Sequence, residues 1–143
     1  MTEFRWITHD FAVAAQLAPD DIARAAAEGV KTLINNRPEG EAGQPKEGEM
    51  RATARALRLD YRSIPFSGQP PPAVVAATAE ILEQAAGPVL AYCRTGTRSI
   101  MAWAMAQALC GLRRPNEIIA LAAKVGYDLT GARGPLEALA PRD

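Results

Sequence analysis

Two rhythms of apolar residues run along this chain: short β-prone stretches, and longer stretches in which apolar positions return at helical spacing. Residues 5–8 and 11–16 are β-prone runs hinged at His9 and Asp10, which predicts a hairpin or a bent first strand. Pro19, Asp20 and Asp21 at the front and Gly29 behind frame a helix over 20–28, with Ile22, Ala25 and Ala26 inward. Residues 30–35 read as a buried strand, and the polar, Gly- and Pro-rich segment 36–48 as a loop. A helix over 49–57 sets Met50, Ala54 and Leu57 on one face, and 61–65 gives the next strand. A loop over 67–72 with three consecutive prolines leads to a helix over 73–86, where Val74, Ala77, Ile81 and Val75, Thr78, Leu82 keep helical spacing until Gly87 and Pro88 end it. Residues 89–92 form the central strand, followed by helices over 99–109 and 115–124 and a short piece near 135–139. Strand and helix alternate. The predicted fold class is therefore α/β, a mostly parallel central sheet with helices on both faces, and ligands bind such folds beyond the carboxyl ends of the strands. Loops 35–41, 67–72 and 93–98 are expected to converge there.

Composition narrows the classes. With 143 residues and 48% hydrophobic content, the chain supports one core, so a single domain over 1–143 is expected. Lysines plus arginines number 16, as do aspartates plus glutamates, and no basic run interleaves with aromatics; nucleic acid is not an expected partner. No apolar run approaches the roughly 20 residues of a membrane span, and Met1-Thr2-Glu3-Phe4-Arg5 does not begin a secretion signal, so a cytoplasmic protein without a membrane partner is expected. A single histidine, His9, and the lack of a Cys-x-x-Cys pair argue against a metal centre, and no cofactor is expected.

Chemistry concentrates in Val89-Leu90-Ala91-Tyr92-Cys93-Arg94-Thr95-Gly96-Thr97-Arg98-Ser99, which places a cysteine between a short strand and a helix. Backbone N–H groups from Arg94 through Ser99 can curl around the sulfur while the positive end of the helix points at it. Arg94 and Arg98 add charge. In such surroundings a thiol near pKa ~8.5 falls to roughly 3.5–7.5 and becomes a nucleophile at neutral pH. Cys110 falls roughly 16 Å along the following helix at 1.5 Å per residue, too far for a disulfide, and its apolar neighbours suggest a core position.

This run, with Leu33-Ile34-Asn35-Asn36-Arg37-Pro38-Glu39-Gly40-Glu41 and Tyr61-Arg62-Ser63-Ile64-Pro65 before it, resembles a bacterial family of phosphatase-like domains found alone or fused to β-lactamase-like hydrolases and flavin oxidoreductases. The resemblance spans about residues 4–139. It implies the fold of cysteine-dependent tyrosine and dual-specificity phosphatases, although many family members are described as sulfur transferases. Two departures from the phosphatase pattern stand out. Four residues rather than five separate Cys93 from Arg98, the spacing usual in rhodaneses, and Tyr92 replaces the usual histidine. Moreover, no carboxylate lies between Asp60 and Glu80, where a general acid is commonly found, so Glu39, Glu41 or Asp128 would have to supply it.

The leading expectation is a sulfurtransferase that carries sulfane sulfur as a Cys93 persulfide, taking it from a small anionic donor and passing it to a thiol acceptor. Cys93 and Arg98 are its catalytic residues. Arg94, Thr95, Gly96, Thr97 and Ser99 bind the anion, Ser99 also as a hydrogen-bond partner of the sulfur, and Arg37 adds a contact from the 35–41 loop. For Arg37 a salt bridge with Glu39 or Glu41 is an equal alternative, and Asn35 and Asn36 fit turn chemistry. A phosphatase acting on a phosphoester through a Cys93 phosphocysteine is the alternative, and a non-catalytic redox or anion-sensing module the third. Trp103, Met101 and Met105 suit core packing, His9 stands outside the site, and Tyr127 has no assigned role.

Overall fold

A computed structural model describes residues 1–142. Five strands, β1 (Arg5–Thr8), β2 (Phe11–Ala14), β3 (Thr32–Asn35), β4 (Asp60–Ser63) and β5 (Val89–Tyr92), form one sheet in the order β1-β2-β5-β3-β4. Only β1 with β2 is antiparallel; β2 with β5, β5 with β3 and β3 with β4 are parallel. The expected hairpin at His9 and Asp10 is present. Strands are shorter than the sequence suggests at 30–35 and 61–65: Val30 N is spent on Ala25 O at the end of α1, and Ile64 N reaches Asn35 O just past the end of β4.

The side-chain period of two along β5 divides the core. Val89 and Ala91 face one side, packed beneath helices α3 (Pro72–Gln84), α4 (Thr97–Leu109), α5 (Pro115–Lys124) and α6 (Arg133–Leu139). Leu90 and Tyr92 face the other, beneath α1 (Pro19–Ala27) and α2 (Glu47–Ala56). Being central and parallel, β5 is buried on both faces, which is why it reads as a continuous apolar run. Trp103 on α4 stacks on Phe11 with ring centroids 5.5 Å apart and is 1% exposed, so it anchors the larger side as expected. Full burial of such a ring contributes about 1.5–3 kcal/mol.

Two expectations change here. The helix after the cysteine starts at Thr97 rather than Ser99, since Gly96 takes a left-handed φ of 91° that turns the chain directly into the helix. Cys110 is exposed, not core: α4 ends at Leu109, Cys110 is its C-cap, and Gly111 with a φ of 65° reverses the chain directly after it. Both cysteines are free.

Candidate functional site

Cys93 follows the last residue of the central strand and is fully buried. Neighbouring strand ends hold its base: Cys93 N donates to Ala14 O at 3.4 Å, and Asn36 N donates to Tyr92 O at 2.9 Å. The chain then folds back over its own sulfur, and Gly96 N donates to Cys93 Sγ at 3.1 Å. Burial pushes the thiol up, but the backbone N–H groups of Ser99, Thr95, Arg98 and Gly96 turned on the sulfur outweigh it, and the net pKa lies below the ordinary thiol value. The ring of N–H donors predicted from sequence is thus formed in large part. Thr97 N turns instead to Thr95 Oγ1 at 3.4 Å, and Arg94 is exposed, its carbonyl accepting from Gln16 N at 3.3 Å. Ser99 meets the sulfur as expected, but through its backbone N–H; its hydroxyl is buried without a hydrogen-bond partner.

Loops 35–41 and 93–98 meet at Arg98, and the third reaches it through Phe66, one residue before the predicted 67–72 span. Arg98 Nη1 donates to Phe66 O at 3.2 Å, and Nη1 and Nη2 reach the Glu41 carboxylate at 3.2 and 3.0 Å. Glu41 also accepts from Arg37 Nε at 2.6 Å. Shared between two guanidinium groups, first Arg98 and then Arg37, its carboxyl is held down to about 2. Glu41 therefore carries no proton to give near neutral pH, which corrects its place among the candidate acids. Arg98 is itself pushed above its ordinary value by Glu41, and after that by the nearby Cys93 sulfur.

Arg37 takes the structural alternative rather than a free anion contact. It is 4% exposed, and besides Glu41 its Nη1 donates to Gln16 Oε1 at 3.0 Å and Nη2 to Ala42 O at 2.8 Å. The asparagines before it act as expected of turn residues: Asn35 Oδ1 accepts from Arg37 N at 2.9 Å, and Asn36 Nδ2 donates to Ile64 O at 2.9 Å. Among the other candidate acids, Glu39 is exposed, and Asp128 accepts from both Thr130 N and Oγ1, bonds that lower its pKa. Tyr92, in the usual histidine's place, is buried beside Tyr61, and burial drives its phenol far above the ordinary range.

Sequence reasoning missed a strut behind the loop. Tyr127 hydroxyl donates to Thr95 O at 3.0 Å, and the Arg5 guanidinium lies 5.1 Å from the Tyr127 ring centre while Arg5 Nη1 donates to Val125 O at 2.9 Å. A Cβ on Gly96 would come 2.2 Å from the Tyr127 hydroxyl oxygen. Gly96 announces a close approach, but nothing in the sequence says that a residue 31 positions later makes it. Beside Arg98, an apolar groove of about 290 Å3 runs between Gln69, Met101, Met105, Ala132 and Pro135.

Comparison with known proteins places this geometry in context. The chain is 34% identical over 136 residues to a β-lactamase hydrolase-like protein of Agrobacterium fabrum, covering 92% of this chain and 31% of that one. It thus spans about a third of that relative's length. A crystal structure of a candidate phosphatase from Neisseria meningitidis superimposes with a TM-score of 0.80 at 29% identity, over 94% of this chain and 96% of the other. Tk-PTP, at 14% identity and a TM-score of 0.71 over 98% and 97% of the two chains, shares the fold, which is that of the tyrosine-phosphatase-like enzymes. Residues 3–110 match the profile of the β-lactamase hydrolase-like protein, phosphatase-like domain, and the chain belongs to that family.

Proposed function

We propose that the chain is a cysteine-dependent phosphohydrolase acting through Cys93. The observation that carries this is a buried thiol of lowered pKa, ringed by backbone N–H groups and flanked by Arg98, in a phosphatase-like family. In the first step the Cys93 thiolate attacks phosphorus; an S–P bond forms, the P–O bond breaks, and the leaving oxygen takes the electron pair and a proton from solvent. In the second, water attacks phosphorus, the S–P bond breaks and the thiolate is restored with release of phosphate. The N–H groups hold the phosphoryl oxygens throughout, and Arg98, whose Nη1 and Nη2 bond Glu41 and Phe66 O, adds its positive charge beside them.

Leaving-group chemistry sharpens the reading. With Glu41 locked on Arg98 and no carboxylate between Asp60 and Glu80, protonation of the leaving oxygen has no dedicated donor. Aryl phosphates, whose phenolate leaves without much help, are then the preferred substrates, and the apolar groove beside Arg98 suits an aryl body. The test is hydrolysis of a series of aryl and alkyl phosphates by wild type and Cys93→Ser, with rapid-quench mass measurement of the intermediate. Turnover that rises as leaving-group pKa falls, with one phosphoryl group on Cys93, supports the reading; no release of phosphate from any member overturns it.

A second reading, sulfur transfer, is favoured by the Cys-x4-Arg spacing, one residue shorter than in the phosphatases of this fold, and by the same lack of an acid. Here Cys93 thiolate attacks the outer sulfur of thiosulfate, sulfite departs with the S–S electron pair, and an acceptor thiolate later takes the sulfane sulfur, returning Cys93 as thiolate. Its test is the intact mass after thiosulfate treatment: gain of one reducible sulfur, absent in Cys93→Ser, is the expected result, and an unchanged mass with Cys93 still alkylatable overturns it.

A further inference from the structure

The amino ends of the parallel strands, remote from Cys93, border a cavity of about 1060 Å3. Ligand pockets commonly enclose ~300–1,000 Å3. Its existence follows from alanines: Ala79 on α3, Ala106 on α4, and Ala85 and Ala86 just past the end of α3 offer only methyl groups where longer side chains would close the space. The floor is apolar, with Val89 and the stacked pair Phe11 and Trp103.

One polar group is built into this wall. Gln107 is 5% exposed; its Oε1 accepts from Arg113 Nη1 at 2.6 Å, but its Nε2 has no hydrogen-bond partner among the described residues. Gln107 Nε2 is not sealed in the core but open to the cavity, so an otherwise buried side chain presents an uncommitted donor to whatever occupies it.

The charge of the surroundings says what else the occupant carries. Both α3 and α4 end here, at the caps Ala85 and Cys110, so the negative ends of two helix dipoles face this region, opposed by the positive end of α5, whose first turn carries Glu117. The lining adds the carboxylates of Asp10, Glu83 and Glu117. Against them stand His9 and Arg113, the latter tied to Gln107. An anion would be repelled.

We propose that this cavity binds a small organic cation: a planar apolar body above Phe11 and Trp103, an acceptor atom meeting Gln107 Nε2, and an amine directed to the acidic rim. The site is separate from Cys93 and holds whichever chemistry Cys93 performs. The probes are 4-aminomethyl-7-methoxycoumarin, which is cationic, and 7-methoxycoumarin-4-acetate, which presents the same body with an anion. Titration of the full chain by fluorescence anisotropy should show the cation binding at least about tenfold more tightly than the acetate, unaffected by excess inorganic phosphate. Ala79→Leu, which fills the cavity, and Gln107→Leu should each weaken the cation about tenfold. Glu83→Gln with Glu117→Gln changes only exposed positions, so folding is preserved; it should weaken binding several-fold and reduce its salt dependence. In Cys93→Ser protein the cation should slow alkylation of Cys110 at the rim. Equal affinity for the two probes, displacement by phosphate, or failure of the cationic probe to bind with Cys110 alkylated at an unchanged rate would each overturn the proposal.

Discussion

The same helix, α4, runs between the two ends of the sheet and gives them opposite characters. At the carboxyl end of β5 its N-terminus meets a cysteine, and the charged groups around it are tied: Arg98 to Glu41 and Phe66, Arg37 to Glu41, Gln16 and Ala42, with Thr95 O held by Tyr127. At the amino end of β5 its C-terminus opens on a cavity with alanine walls, acidic rim groups and an uncommitted amide donor. The difference teaches that preorganisation and vacancy are separate designs. An anion site needs donors fixed before the charge arrives, since reorganising them would consume the interaction. An apolar cavity needs only missing side-chain volume.

The comparison breaks first, and most strongly, at the sulfur. Cys93→Ser is expected to lower turnover by about 10³-fold or more, and Arg98→Lys, which loses the planar fork, by about 10²-fold, both measured as kcat/KM on an aryl phosphate. Neither change should alter binding of the cationic probe at the far end.

Gly96→Ala tests how tightly the loop is packed. The new methyl meets the Tyr127 hydroxyl at 2.2 Å in a backbone of φ 91°, so a loss of about 1–3 kcal/mol is expected from thermal unfolding, together with lost activity. Tyr127→Phe removes only the bond to the Thr95 carbonyl, worth about 1 kcal/mol, and should lower kcat a few-fold while leaving KM nearly unchanged.

Proton linkage sharpens the contrast further. Because the folded-state pKa of Cys93 is depressed, its stabilising contribution is complete above the ordinary thiol value and gone once pH falls below the folded one. Iodoacetamide labelling of Cys93 should accordingly keep its rate below the pH where ordinary thiols slow. Glu41 contributes in the same sense at lower pH, with stability present above 4.5 and lost as pH falls toward about 2. Glu41→Gln should flatten that part of the acid-unfolding curve. The smallest effect is reserved for the far end: Cys110→Ser, at an exposed helix cap, should move stability by less than about 0.5 kcal/mol.

Much of the fold was legible before any coordinates. Period-two runs, helical spacing and the Gly and Pro stops placed nearly every element, because strands buried on both faces and helices packed on a sheet must declare themselves through apolar residues. Cys93, Gly96 and Arg98 were legible for a related reason: a strand, a tight turn and a helix follow one another within a few residues, so local geometry suffices. Arg37, Glu41 and Tyr127 were not. The sequence offered Arg37 equally as an anion contact and as a salt-bridge partner of Glu39 or Glu41, and Glu41 as an acid; the local Arg37–Glu41 pair forms, but the bonds from Gln16 to Arg37 and from Arg98 to Glu41 come from other parts of the chain. Cys110 was misread because apolar neighbours describe a helix face and not the exposure of the cap residue where the helix ends.

By itself the sequence determined the alternation of strands and helices, the sulfur at the head of α4, and the family, since each depends on order along the chain. Tertiary structure alone decided which carboxylate loses its proton, which arginine is spent on structure, what stands behind Gly96, and that alanines on two helices leave one shared cavity. Those outcomes depend on distances between residues far apart in sequence, and such distances exist only once the sheet has brought its loops and helix ends together.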